Sequence, residues 1–339
     1  MKKILITGGA GYIGSHTAVS LLEAGFEPII VDNFSNSNKS VLKGLKAILG
    51  RDIACYEGDC NERGLMELIF AENQFSGVIH FAAFKAVGES TQFPLKYYAN
   101  NIDSLLILLE TMAKFGVKDL VFSSSCTVYG QPDELPVSES TPRKEAESPY
   151  GNSKKICEDI LRDYINSGVD SRIISLRYFN PVGAHPSGEI GELPLGIPNN
   201  LVPFITQSAA GIRQQLTVFG DDYNTPDGSC VRDYIHVMDL ADAHVKALEF
   251  LFRQNLNFYD IFNVGTGKGN TVLEVIKTFE KVSKKALNYK IGPRRPGDIE
   301  KVWANTHKIN SELGWMAKYS LEDSLRDSWN WQQKLGLRE

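Results

Sequence analysis

Short runs of β-branched and aliphatic residues recur through the first half of the chain, at 3–7, 28–32, 53–57, 77–80, 119–123 and 172–177, and longer amphipathic stretches separate them. Runs of this length read as buried strands, and intervals of this size accommodate the crossover helices that parallel pairing requires. The pattern predicts an α/β fold, a doubly wound parallel sheet of Rossmann type. Segment 180–203 is rich in Gly, Pro and Asn, which breaks the periodicity and marks a change of domain. Beyond it, helical stretches at 201–211, 238–252 and 271–282 alternate with strands at 216–219 and 261–264. These predict a smaller C-terminal α/β unit. The expected division is 1–180 and 181–339, with some exchange of chain between the two.

Composition narrows the functions available to such a fold. The 339 residues are 42% hydrophobic and 23% charged, enough to bury a sizeable core. A net charge of −5 offers no global field for nucleic acid or an anionic membrane, so any anionic ligand must be held locally. Cys55, Cys60, Cys126, Cys157 and Cys230 are odd in number and contain no Cys-x-x-Cys pair, which argues against a disulfide framework or a zinc site and fits a reducing cytoplasm. The apolar run after Met1-Lys2-Lys3 is interrupted by Gly8 and Gly9 too early for a signal peptide, and no stretch approaches the ~20 apolar residues of a membrane span. A soluble cytoplasmic protein without a metal is expected.

Directly after the first run stands Thr7-Gly8-Gly9-Ala10-Gly11-Tyr12-Ile13-Gly14, which satisfies both G-x-G-x-x-G and G-x-x-G-x-x-G. Glycines are required where a backbone must approach a pyrophosphate seated on a helix N-terminus. The context of strand before and amphipathic helix after makes the motif informative. Asp32 closes the second run, placed to accept from ribose hydroxyls and to repel the extra phosphate of NADP, and Asn33 stands where NADP would need a basic neighbour. The cofactor expected is NAD.

Pro149-Tyr150-Gly151-Asn152-Ser153-Lys154 places a phenol and an ammonium at i and i+4, on one face of a helix opening after the proline. Taken alone this is a common pairing of ring and alkyl stem. After a dinucleotide motif it reads as a base: an ammonium and a helix N-terminus both favour the phenolate, and a phenol lowered from about 10 is poised to take a proton. Ser125, just past the fifth run, would hydrogen-bond the same substrate oxygen.

The glycine motif, the serine after the fifth strand and Tyr-x-x-x-Lys resemble the extended short-chain dehydrogenase/reductase superfamily. Within it the strings from Phe81 to Ser90, from Arg177 to Gly188 and from Arg232 to Leu240 resemble the UDP-glucose 4-epimerase family along almost the whole chain. The resemblance implies an NAD site at Gly8, Gly11, Tyr12, Ile13, Gly14, Asp32, Asn33, Asn36, Ser37, Asp59, Cys60, Phe81, Ala82, Ala83, Lys85, Asn100, Tyr178 and Phe179, together with Ser125, Tyr150 and Lys154. It implies that Lys85, Ser125, Tyr150, Asn180, Asn200, Leu201, Phe219, Arg232, Tyr234, Arg295, Asp298 and Val302 meet a UDP-sugar. Arg232 and Arg295 would supply permanently charged planar donors to a pyrophosphate, although the commoner fate of an arginine is a surface ion pair. By the same resemblance Tyr150 takes the proton of the 4-hydroxyl while hydride leaves C4 for the nicotinamide, and the bound 4-keto sugar swings over and is reduced on its other face. The family pairs two helices per subunit in homodimers, here 95–114 and 150–167.

Two rivals follow from the same residues. A nucleotide-sugar 4,6-dehydratase needs Thr-Asp-Glu after the fifth strand, where this chain has Ser125-Cys126-Thr127; a catalytically silent NAD-binding regulator would have lost Ser125, Tyr150 or Lys154. Val302, four positions after Asp298, is smaller than the tyrosine that disfavours N-acetylhexosamines, which predicts that these are accepted, unless the valine is merely local packing. His80, His185 and His236 lack ligand spacing and read as structural, and the basic run 281–285 as a solvated helix end.

Overall fold

The computed structural model describes residues 1–295 and 298–337. Pro296 and Gly297 of the Arg295–Asp298 string, and the last two residues of the 181–339 unit, lie outside them. Seven parallel strands form the main sheet. In chain order they are Lys3–Thr7, Glu27–Asp32, Ala54–Glu57, Phe75–His80, Asp119–Ser125, Arg172–Tyr178 and Phe258–Val264, and in space the third, second, first, fourth, fifth, sixth and seventh lie side by side. This is the doubly wound order, with its switch between the first and fourth strands. Successive side chains point to opposite faces. Ile4 and Ile6 therefore join one core, with Ala18, Val19 and Leu21 of the helix Tyr12–Glu23 and Leu240, Leu248 and Leu251 of the helix Val237–Leu251. Leu5 joins the other, with Leu105 and Leu108 of Pro94–Phe115 and Cys157 and Leu161 of Pro149–Asn166.

One expectation is corrected here. The strand at 261–264 and the helix at 238–252 were grouped with the C-terminal unit, but Phe258–Val264 pairs in parallel with Arg172–Tyr178 from Phe258↔Arg172 to Val264↔Tyr178. The helix before it packs on the helix that follows the glycine turn. Phe262 and Val264 are fully buried, and ten residues of Val237–Leu251 are buried. An element with so little polar face must lie between other layers, and the large sheet supplies them.

The rest of the C-terminal chain forms its own cluster. Val202 and Ile205 of Leu201–Ala209, Val275, Ile276 and Phe279 of Val272–Ser283, and Leu325 of Leu321–Gly336 enclose Leu216 and Val218. Capping boxes at Thr271/Glu274 and Ser320/Asp323 start the helices Val272–Ser283 and Leu321–Gly336. Among the described residues no helix is long and apolar enough to cross a membrane, and no group of three or more His, Cys, Asp or Glu could hold a metal.

Candidate active site

Ligands of doubly wound sheets lie outside the carboxyl ends of the strands at the switch point. There Gly8 takes φ +67°, and a Cβ on it would stand 2.8 Å from the Ala82 nitrogen. A Cβ on Gly14 would come within 2.5 Å of the Gly8 carbonyl oxygen. Gly11 caps the helix Tyr12–Glu23 with no side-chain bond and no acidic residue in the first turn. Its orphan N–H groups and partial positive charge make a cradle suited to a pyrophosphate. Ile13 packs against the core beneath, and the Tyr12 hydroxyl donates to the Gly183 carbonyl at 2.6 Å.

Asp32 is buried at the end of the second strand, where Ala10 N donates to it at 2.9 Å, Phe34 N at 2.8 Å and Ser37 Oγ at 3.0 Å. Three donors orient the carboxylate, and about one of its roughly four lone-pair directions is left for a ribose hydroxyl. Asn33 Nδ2 donates to Asp59 at 2.8 Å, Asn61 Nδ2 to the same carboxylate at 2.9 Å and to Asn100 at 3.2 Å. These residues form one polar rim, with Cys60 buried beneath and Asn36 exposed. Phe81 N donates to the Thr7 carbonyl at 3.0 Å, which holds 81–83 against the glycine turn. The residue types that an NAD molecule requires are therefore together.

Ser125 ends the fifth strand opposite Tyr178, and its Oγ accepts from Thr127 N at 3.2 Å and Thr127 Oγ1 at 3.0 Å. Ser148 caps the helix Pro149–Asn166 by accepting from Gly151 N, with Pro149 in the first turn. One turn apart on that helix, Tyr150 and Lys154 face the same edge. Lys154 is buried, donates to the Ser123 carbonyl at 2.7 Å and to Ser123 Oγ at 3.2 Å, and lies 4.8 Å from the centre of the Phe122 ring. Burial pulls its ammonium down to about 8. Burial likewise pushes the Tyr150 phenol up to about 12, opposed by its hydrogen bond with Ser125. The lowered phenol expected from the sequence is thus corrected for the protein by itself: desolvation outweighs the helix N-terminus, and the ammonium is committed to the main chain of Ser123. Burial also raises the Tyr178 phenol, again opposed by Ser123, and Phe179 is buried beside it.

A buried ionic network behind this edge was not read from the sequence. Glu158, one turn beyond Lys154, accepts from Arg177 Nε at 2.8 Å, Arg177 Nη2 at 2.6 Å, Ser124 Oγ at 2.6 Å and Arg143 at 3.3 Å. It fixes the helix Pro149–Asn166 to the fifth and sixth strands. The only signal was Glu158 at i+4 from Lys154, and a spacing of that kind names no partner.

The remaining candidates sit on the C-terminal unit and its junction. Asn180 and Tyr234 are paired in a short parallel ladder, and Arg232 pairs with Val302 in another. The charge of Arg232 opposes the burial that drives the Cys126 thiol up to about 12, which places it near the end of the fifth strand. Val302 is buried with Val128, Tyr129 and Phe179. Arg295 grips Asp298 with a shortest contact of 2.8 Å and stands 5.4 Å from the centre of the exposed Phe219 ring. Lys85, on the loop after the fourth strand, and Asn200, before the helix Leu201–Ala209, both reach Glu192, which the sequence reading did not single out. Leu201 opens the helix Leu201–Ala209, with Asn200 at the position before it. The histidines are held structurally: His80 Nδ1 bonds Thr7 Oγ1 at 2.7 Å, His185 Nδ1 bonds Ser187 Oγ at 2.7 Å, and His236 accepts from Met238 N and stacks on Tyr319.

The family model described as GDP-mannose 4,6 dehydratase matches residues 5–328. A UDP-glucose 4-epimerase of Bacillus subtilis (strain 168) is 54% identical over 97% of this chain and 96% of its own. The chain belongs to the UDP-glucose 4-epimerase family. Two solved structures agree with it closely: the Bifidobacterium longum UDP-glucose 4-epimerase in complex with NAD+ and UDP, at TM-score 0.95 and 48% identity over 98% of each chain, and the Stenotrophomonas maltophila UDP-glucose-4-epimerase with bound NAD and formylated UDP-arabinopyranose, at 0.97 and 45% over 100% of each. The family model places this epimerase family within the extended short-chain dehydrogenase/reductase superfamily. Its relatives, and Ser125-Cys126-Thr127 after the fifth strand, favour the epimerase over the dehydratase.

Proposed function

We propose that the chain interconverts UDP-galactose and UDP-glucose by inverting C4 through a 4-keto sugar, with NAD retained through turnover. The observation that carries this reading is Tyr150 beside Ser125 at the carboxyl edge, with Lys154 one turn on along the same helix, in a chain of this family. NAD, when bound, supplies the acceptor and then the donor of a hydride at C4, and its ring brings a positive charge to the pocket. Gly8, Gly11, Tyr12, Ile13 and Gly14 receive the pyrophosphate. Asp32, Asn33, Asn36, Ser37, Asp59, Cys60 and Asn100 surround the adenosine half, and 81–83, Lys85, Tyr178 and Phe179 the other. Tyr150 takes the proton of the 4-hydroxyl and returns it, Ser125 shares that oxygen, and Lys154 stabilises the phenolate. Asn180, Asn200, Leu201, Phe219, Arg232, Tyr234, Arg295 and Asp298 hold the UDP so that only the sugar rotates, which keeps the reactive keto sugar in place. Residues 1–180 thus serve mainly the cofactor and 181–339 mainly the substrate, with Val237–Leu251 and Phe258–Val264 returning to the first.

Proton NMR of the purified protein with UDP-galactose and no added NAD tests this. Appearance of UDP-glucose is expected, and an absolute need for exchangeable NAD would count against it. In this reading the small side chain of Val302, buried with Val128, Tyr129 and Phe179, also leaves room for N-acetylated UDP-hexosamines. Val302→Tyr is expected to lower kcat/KM for UDP-N-acetylgalactosamine by at least about 10-fold, in the range of a steric overpacking of 1–3 kcal/mol, with little change for UDP-galactose. Equal losses on both substrates in a competition assay would show that Val302 does not size the pocket. The protein is cytoplasmic in this reading and dimerises through Pro94–Phe115 and Pro149–Asn166; Leu95, Leu106 and Phe115 of the first are exposed.

A further inference from the structure

Asn200 occupies the N-cap position of the helix Leu201–Ala209, where an asparagine side chain ordinarily accepts from the second or third N–H of the helix. Here it makes no capping bond. Its Nδ2 donates instead to Glu192 Oε1 at 2.7 Å, and the same oxygen stands 3.5 Å from Lys85 Nζ on the loop after the fourth strand. A carboxylate only accepts, so it fixes which end of the amide faces it and leaves Oδ1 uncommitted to the helix. Glu192 is itself held in place. Its carbonyl accepts from Trp331 Nε1 at 3.0 Å, and a Cβ on the preceding Gly191 would lie 2.5 Å from that indole, so the loop lies flat on the C-terminal helix. The Glu192 side chain is 13% exposed, whereas Lys85 is 45% exposed. The more buried partner therefore organises the more exposed ones.

We infer that Glu192 is a positioning residue for the UDP-sugar: it draws Asn200 away from its own helix cap and ties Lys85 to it, so that contacts from two separate loops are assembled before substrate arrives. The inference rests on the proposed roles of Asn200 and Lys85. Its energetic basis is preorganisation, since a donor already held in its bound orientation loses less freedom on binding.

Steady-state kinetics with UDP-galactose, calorimetric titration with UDP and thermal melts of the wild type, Glu192→Ala, Glu192→Gln, Asn200→Ala and the Glu192→Ala/Asn200→Ala pair test it. Glu192→Ala is expected to raise KM and the UDP Kd by about 10-fold, the scale of one hydrogen bond to a charged group, with kcat within about twofold. Its melting temperature holds or rises, because Asn200 can then cap its helix. Glu192→Gln keeps an acceptor for Asn200, folds as the wild type does, and shows a smaller rise in KM. The pair is no worse than the worse single variant, since both act through one contact. Independent, multiplying effects in the pair would overturn the inference, as would a KM change accompanied by a drop in melting temperature. An unchanged KM in Glu192→Ala while Asn200→Ala raises it would overturn Glu192 alone. An unchanged KM in Asn200→Ala would overturn the substrate role of Asn200, and this inference with it.

Discussion

Tyr150→Phe is expected to lower kcat by about 10²–10⁴-fold, the range over which a positioned acid–base group contributes, while KM, UDP binding and the melting temperature stay close to wild type. The substitution removes one hydroxyl and keeps the ring. The ring keeps its packing, so the fold loses little and the chemistry loses its proton acceptor. A phenol near 12 is protonated at neutral pH. Proton transfer at neutral pH therefore depends on positive charge brought to it, and Lys154, one turn along the same helix, carries one. Its ammonium, held down to about 8 by burial, is lost as the pH rises through that value, and kcat/KM is expected to fall over the same interval. The stability sign runs the other way. A base whose folded pKa lies below its unfolded 10.5 costs stability below about 8, and the cost fades as the pH climbs toward 10.5. A stopped assay across pH 6–10, about the range that brackets both states of the lysine, measures the first. A Tyr150→Phe variant retaining wild-type kcat would remove Tyr150 from the mechanism.

All seven strands of the sheet are legible as strands, and six of them, with the glycine turn, are legible in their place because the signals are local: the apolar run Ile4-Leu5-Ile6, a turn directly after, an acid at the end of the next strand. The seventh strand, Phe258–Val264, has the same kind of sequence, but its partner Arg172–Tyr178 lies some 80 residues earlier. Nothing in a run of apolar residues names its neighbour, and the nearest unit along the chain was the wrong one. The candidate site divides in the same way. Tyr150 and Lys154 share a helix face by spacing alone, whereas Glu192 acts on Lys85 and Asn200 only because the fold closes three loops on one point. The direction of the Tyr150 shift depends on how much of the ring is desolvated, a tertiary quantity. The sequence shows the ammonium beside the phenol but not the Ser123 carbonyl that engages it.

Glu158→Ala is expected to destabilise the protein by about 3–5 kcal/mol, the cost of leaving a buried charge without its partner. Arg177 and Glu158 are 2% and 1% exposed and meet through two parallel bonds, and Ser124 and Arg143 add to the same carboxylate. Removing Glu158 strands the guanidinium among apolar side chains and the Tyr129 ring, 4.8 Å from its centre. The double variant Glu158→Leu/Arg177→Met removes both charges, so its loss should be well under the sum of the single losses, because most of each single loss is desolvation left uncompensated. Urea melts of Glu158→Leu, Arg177→Met and the double variant measure this coupling, and additive losses would mean that the pair is not one unit. The functional consequence separates the network from ordinary core packing. Glu158 lies one turn from Lys154 and anchors it to the strands carrying Ser123, Ser124 and Tyr178. The double variant, folded but unanchored, should therefore lose kcat more than KM, since the reacting groups are displaced while the UDP contacts on the other unit are not.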